Sequence, residues 1–204
     1  MDFFETYEWN PDNRILNEVI KRLQNGEIGI IPTDSIYALV CHLNNKKGIE
    51  RICKIVGKKP EKANLSVIFH NLKNISEYTQ PFSTSVYKIL KRNFPGPFTF
   101  ILKANSNIPK LFLSNRKTIG IRIPDNKVAL SLCEMLDFPL VSTSVHSEDE
   151  ILEYQTDPEE ILQTFHDKID FMISTGSGGN LPSTVVDLTE DEPILIREGK
   201  GVLI

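Results

Sequence analysis

Thr33, Asp34 and Ser35 place two hydroxyls and a carboxylate side by side, directly after the apolar, β-branched run Ile28-Gly29-Ile30-Ile31. Pro32 ends that run, because proline cannot donate to a strand ladder and starts a turn. Open α/β sheets put their ligands beyond the carboxyl ends of strands, so the segment is a candidate pocket wall. The alternative is a turn whose Thr, Asp and Ser bond their own backbone. Leu140-Val141-Ser142-Thr143-Ser144 repeats the pattern, an apolar strand running out into three hydroxyls. Two such ends side by side would offer donors and acceptors suited to phosphate, carboxylate or ribose, while a hydroxyl-rich turn is equally compatible with the local sequence.

Arg122 interrupts the apolar stretch Gly120-Ile121-Arg122-Ile123-Pro124 with an ion that is costly to bury unpaired, so it should face an anion or a pocket. Arg197, in Ile196-Arg197-Glu198-Gly199, invites the same argument, with a rim salt bridge as the alternative. Gly176-Ser177-Gly178-Gly179-Asn180 looks like a phosphate cradle but matches neither Gly-x-x-x-x-Gly-Lys-Ser/Thr nor Gly-x-Gly-x-x-Gly, which leaves a flexible loop as the expectation. His42, His70, His146 and His166 share no element and show no His-x-x-x-His spacing, so no protein-bound metal is expected. There is no Gly-x-Ser-x-Gly elbow either, and hydrolase chemistry finds no support.

The elements that must hold these residues read as a mixed α/β pattern. Ile15, Leu16, Val19, Ile20 and Leu23 recur at helical spacing before Gly26. Strand-like runs follow at 28–31, 65–69, 98–103, 118–123, 140–143, 171–174, 184–188 and 194–197, with helical patterns around 48–56, 85–93, 127–136 and 158–165. Asp157 caps the last of these helices, with Pro158 at its first position. Some strands succeed one another across Gly or Pro turns, so a twisted mixed sheet with packed helices fits better than a strictly alternating parallel one. With 204 residues, 40% of them hydrophobic and 25% charged, one domain is the expectation.

No apolar run approaches the roughly 18 residues that span a bilayer, and the opening Met1-Asp2-Phe3-Phe4-Glu5 lacks the basic and apolar regions of a signal peptide. A cytoplasmic protein without membrane partners is therefore expected. Cys41, Cys53 and Cys133 are odd in number and set in apolar surroundings, which predicts reduced core thiols. The net charge of −4 argues against a surface coated for nucleic acid. The charge is nonetheless uneven: Lys46, Lys47, Arg51, Lys54, Lys58, Lys59 and Lys62 crowd one stretch, and Glu148, Asp149, Glu150, Glu153, Asp157, Glu159 and Glu160 another. Two solvated faces are the plain reading of these runs.

Taken in order, six segments resemble the YrdC/YciO family: Pro32 to Leu39, Pro95 to Leu102, Gly120 to Pro124, Leu140 to Ser144, Pro182 to Asp187, and Arg197-Glu198-Gly199. The resemblance implies a single YrdC/RibB-like domain with a basic concave surface for nucleotide and RNA. It also implies L-threonylcarbamoyladenylate synthase chemistry, in which threonine, bicarbonate and ATP yield threonylcarbamoyl-AMP and pyrophosphate for tRNA modification, with Mg²⁺ accompanying the triphosphate. On that resemblance Thr33 and Ser35 would meet the threonine or carbamate end, and Ser142 and Ser144 the carbamoyl-phosphate region. Arg122 would pair with an anionic substrate group, Ser183, Thr184 and Arg197 would hold the adenylate, and Tyr37 and Thr143 would complete the lining.

Two departures bear on catalysis. Where the synthases carry Lys-x-Arg-Pro, this chain has Gly57-Lys58-Lys59-Pro60, so Lys59 keeps a charge but not the bidentate fork that suits phosphate. Lys58 or Lys62 could supply the missing cation, and Lys58 and Lys59 join Ser142 and Ser144 as the candidate catalytic set. Where the synthases carry Ser-Ala-Asn, Ser144-Val145-His146 puts His146 in place of an amide. The altered region is similar to the YciO-like branch, which leaves a binding protein for tRNA, double-stranded RNA or nucleotide, without synthase activity, as the alternative function.

Overall fold

The computed structural model describes residues 1–110, 117–145 and 154–204. Ten strands form one mixed sheet. They are β1 (Asp2–Glu5), β2 (Gly29–Ile31), β3 (Ala38–His42), β4 (Ser66–Ile68), β5 (Phe98–Lys103), β6 (Thr118–Arg122), β7 (Leu140–Ser144), β8 (Phe171–Ser174), β9 (Thr184–Asp187) and β10 (Ile194–Arg197). Their spatial order is β1-β8-β2-β3-β7-β4-β6-β5-β9-β10. The β1/β8, β2/β8, β4/β6 and β5/β9 pairs are parallel and the others antiparallel, as the turn-linked strands of the sequence require.

Helices α1 (Asn13–Gln24), α2 (Lys46–Ile55), α3 (Leu72–Ile75), α4 (Thr84–Asn93), α5 (Lys127–Leu136) and α6 (Pro158–Phe165) pack on the sheet, and a short 3-10 turn spans Pro60–Lys62. Asp12, Asn45, Ser83, Asn126 and Asp157 each accept a backbone N–H at a helix start, satisfying one of the donors a helix leaves open. The sequence does not announce β1 or β3 by alternation. Ala38-Leu39-Val40-Cys41 is buried on both faces and so reads as an unbroken apolar run.

The period-two alternation of the strands sorts their side chains into two cores. Ile30, Leu39, Val67, Phe100, Ile121, Val141 and Met172 pack with residues of α2, α4 and α6 on one face. Ile31, Val40, Ile68, Leu140 and Phe171 pack with Leu16, Val19 and Leu23 of α1 and Val128, Leu132 and Cys133 of α5 on the other. That second core stops at β4 and β7. Beyond it, β6, β5, β9 and β10 turn Gly120, Arg122, Thr99, Ile101, Val185 and Arg197 toward open space.

All three cysteines are buried and none forms a disulfide, as the sequence predicts. Burial pushes the Cys133 thiol up to about 12 and Cys41 higher still, which keeps both protonated. No described helix is long and apolar enough to cross a membrane.

Candidate functional site

The uncovered half of the sheet is the floor of a cavity of about 350 Å³, within the range of small-ligand sites. Its floor alternates with core: Phe98, Phe100 and Leu102 point into the first core while Thr99 and Ile101 point into the cavity, and Ile119 and Ile121 alternate with Gly120 and Arg122 in the same way. Gly120 keeps this floor low. A Cβ there would lie 3.0 Å from Thr99 Cγ2 and 3.2 Å from Ser66 Cβ. Sequence reasoning missed Ser66, Thr99 and Gly120, although the small or polar residue at every second position of an apolar strand is a usable signal.

Thr33-Asp34-Ser35 lies in the connection between β2 and β3, two antiparallel neighbours, and it is a turn and a site element at once. Thr33 Oγ1 donates to Ile36 O at 2.6 Å and accepts from Ser35 N at 3.2 Å, fixing the loop on itself. The outward-turned groups then receive Arg122, whose Nη2 donates to Asp34 Oδ1 at 3.1 Å and Ser35 Oγ at 2.9 Å, with Thr33 Oγ1 at 3.5 Å. Asp34 Oδ2 accepts from Asp125 N at 2.9 Å, and Lys200 Nζ donates to the Asp34 carbonyl at 2.5 Å. One aspartate thereby ties the β2–β3 connection to β6, to the segment after it and to the C-terminal segment.

The Arg122 and Asp34 side chains are 6% and 7% exposed, so the pair sits in a medium where an unpaired charge is costly. Burial pushes the Asp34 carboxyl up, opposed by the Arg122 charge and the Asp125 N–H. Burial lowers Arg122, opposed by Asp34, with the Arg197 charge acting in the same direction as burial. Arg122 Nε is buried without a hydrogen-bond partner among the described residues. Arg122 as a residue also lines the cavity.

The second hydroxyl cluster divides. Ser142 Oγ lies 2.8 Å from Ser66 Oγ across the β4/β7 pair, and Ser142 is fully buried. Ser66, Thr143 and Ser144 line the cavity. At the opposite wall Ser183 Oγ lies 2.8 Å from Thr99 Oγ1, and Arg197 Nη2 donates to Ser183 O at 2.8 Å. Arg197 makes no ion pair with an acid among the described residues, so its charge serves the cavity rim.

Other expected residues have different surroundings. Thr184 donates to Gly201 O at 2.6 Å and accepts from Gly199 N at 3.1 Å, tying β9 to the segment after β10. Tyr37 donates to Gly176 O at 2.6 Å and accepts from Thr175 N at 3.3 Å. The glycine loop is therefore anchored by Tyr37 where the sequence predicted only flexibility. Its glycines answer to packing: a Cβ on Gly179 would lie 1.9 Å from Ser35 O, and one on Gly178 2.7 Å from the Tyr37 ring.

A second cavity of about 300 Å³ lies between this loop, Thr33 to Ser35 and Lys200. Lys58 and Lys59 are exposed, with Lys59 next to Pro60 on the rim of the first cavity. His146 lies outside the described residues. Of the basic run, Arg51 holds Asp170 in a fork at 2.6 and 2.9 Å, a structural tie to the start of β8. No group of three or more His, Cys, Asp or Glu is arranged to hold a metal among the described residues.

Known proteins share this fold. The chain is 38% identical to "Uncharacterized protein YciO" of Escherichia coli over 98% of its own length and 96% of that protein. The E. coli YciO crystal structure superposes with a TM-score of 0.92 at 37% identity, covering 99% of this chain and 98% of that one. A putative threonylcarbamoyl-AMP synthase of Methanocaldococcus jannaschii is 31% identical over 95% of this chain and 90% of that protein. Pyrococcus abyssi Sua5, solved in complex with L-threonine, shares the fold with a TM-score of 0.88 at 22% identity, covering 98% of this chain and 58% of that one. A family model described as "Telomere recombination", Sua5_yciO_yrdC, matches residues 21–199, and on that match the chain belongs to the Sua5/YciO/YrdC family.

Proposed function

We propose that the protein is a threonylcarbamoyl-AMP synthase-type nucleotidyltransferase, acting on L-threonine, bicarbonate and ATP. The observation that carries this reading is the buried Arg122–Asp34 pair at the edge of a hydroxyl-rimmed cavity that Arg122 lines. The kinship with the M. jannaschii relative supports it.

The chemistry asks for positioning. The threonine amine takes up bicarbonate carbon with loss of water, and the resulting carbamate oxygen attacks the α-phosphorus as the bond to the departing pyrophosphate breaks. Little covalent help is needed; fixed cations and donors that meet the developing charge are. In this reading Arg122 and Ser35 hold the carboxylate or carbamate end, Ser66 and Ser144 face the acyl-phosphate, and Ser183 and Arg197 hold the adenylate. Mg²⁺ enters with the triphosphate as part of the substrate, and Lys59, next to the rim residue Pro60, would meet the triphosphate charge. Pyrophosphate release from ATP, bicarbonate and Mg²⁺ should require threonine; release independent of threonine, or none, would refute the assignment.

A second reading, binding of tRNA or double-stranded RNA without synthesis, draws on the exposed Lys54, Lys58, Lys59 and Lys62. It predicts salt-dependent RNA affinity that falls when Lys58, Lys59 and Lys62 are changed to Ala.

A further inference from the structure

Glu8, from the segment between β1 and α1, and Lys200, from the segment after β10, stand on the wall of the second cavity, about 300 Å³ in volume. No described residue lines both cavities. The Arg122–Asp34 pair joins them, since Arg122 lines the first and Asp34 the second. The wall of the second cavity is tied in place from several sides. Tyr37 donates to Gly176 O at 2.6 Å, Gly178 N donates to Thr156 O at 2.7 Å, and the backbone of Gly179 lies so close to Ser35 that a Cβ would come within 1.9 Å of Ser35 O. Such a pre-ordered wall reduces the ordering cost of taking up a ligand.

Glu8 is half-buried and Lys200 is exposed. They line one cavity with opposite charges, yet neither forms an ion pair with the other or with any other described residue. Lys200 gives one ammonium proton to the Asp34 carbonyl at 2.5 Å and keeps two. Thr175 and Ser177 add hydroxyls to the same wall. The charges disfavour the simplest occupants. A phosphate or other anion would meet the Glu8 carboxylate, and a divalent cation would meet the Lys200 ammonium. Asp34, the other carboxylate of this wall, is committed through Oδ1 to Arg122 and through Oδ2 to the Asp125 N–H.

We infer that the second cavity is a binding site for a small zwitterion, a free amino acid, with Glu8 receiving its ammonium and Lys200 its carboxylate. Both contacts are charge-assisted hydrogen bonds, and the need to satisfy both charges at once selects a zwitterion over molecules that carry either charge alone. The ligand draws on the same Lys200 ammonium that rests on the Asp34 carbonyl, so its arrival acts on the loop that holds Arg122. This inference is independent of the synthase reading: it requires neither ATP nor chemistry in the first cavity.

Backbone amide shifts of the isotope-labelled protein, titrated with L-serine and with γ-aminobutyrate, test it, because these probes hold the two charges at short and long separation. At least one should move the amides of Glu8, Thr175, Ser177, Gly179 and Lys200 to saturation. Ethanolamine and propionate, each bearing one of the two charges, should bind at least about tenfold more weakly. Glu8→Gln and Lys200→Met, at solvent-accessible positions, should keep the melting curve and each weaken binding by about ten- to a hundredfold, while Lys200→Arg, which keeps the charge, should retain most of it. The inference is overturned by no saturable shift with either zwitterion, by shifts confined to Thr99, Gly120 and Ser183 of the first cavity, by binding indifferent to Glu8→Gln and Lys200→Met, or by ethanolamine or propionate binding as well as the zwitterions. The synthase reading would stand in each case.

Discussion

Arg122 reaches Asp34 across the cavity's edge, Nη2 to Oδ1 at 3.1 Å, with almost no water around either group. Removing one member of such a pair strands the other charge in a poorly solvated place. Asp34→Ala should cost about 3–5 kcal/mol in urea unfolding, whereas replacing both members, Asp34→Ala with Arg122→Met, should recover most of that loss. A double variant no more stable than Asp34→Ala would show that the pair is not the source of the penalty.

Gly179 touches Ser35 so closely that any side chain must displace backbone. Gly179→Ala should destabilise by about 1–3 kcal/mol through overpacking and, by moving the Thr33–Ser35 connection, should weaken ATP or threonine binding in calorimetry. Unchanged binding would separate the glycine loop from the site.

Arg197 is exposed and held by Ser183, so its loss should spare the fold and harm the ligand. Arg197→Ala should leave the melting curve nearly unchanged while lowering affinity for an adenylate by about ten- to a hundredfold, the range of a charge-assisted hydrogen bond. Equal affinities for wild type and variant would move the nucleotide away from this wall.

Asp170 sets an acid limit on stability. Burial opposes its ionisation, but the Arg51 fork and the Ile28 N–H outweigh burial and hold its carboxyl below the usual range. The folded chain therefore binds this proton less readily than the unfolded one. The stabilisation is fully present above the unfolded value of about 3.9 and is lost as pH falls through the lower folded value. Asp170→Asn should flatten that acid limb in pH-dependent unfolding; an unchanged slope would assign it to other carboxylates.

The sequence was most legible where strands end in polar residues. Thr33-Asp34-Ser35, Arg122, Ser144 and Arg197 all converge on the cavity or its edge, because a run of hydroxyls or a lone cation in an apolar strand must leave the core. It was less legible where one residue type serves two ends. Thr184 and Tyr37 carry hydroxyls like the others, yet both close backbone hydrogen bonds between segments far apart in the chain, a pairing that local composition does not encode. The Pro32–Tyr37 connection also shows that turn and site were not rivals: Thr33 bonds its own loop so that Asp34 and Ser35 can be offered to Arg122.

The half-covered sheet has a consequence for motion. The cavity floor is made of the same central strands that form the core, so Gly120, Ile101 and Ser66 can exchange their amide hydrogens only when the whole sheet opens. The rim is held differently, by single contacts such as Lys200 on Asp34 and Arg197 on Ser183. A ligand would therefore find its floor already rigid and spend its binding energy quieting the rim, so the slowing of exchange on binding would appear in the β2–β3 connection and the residues after β10.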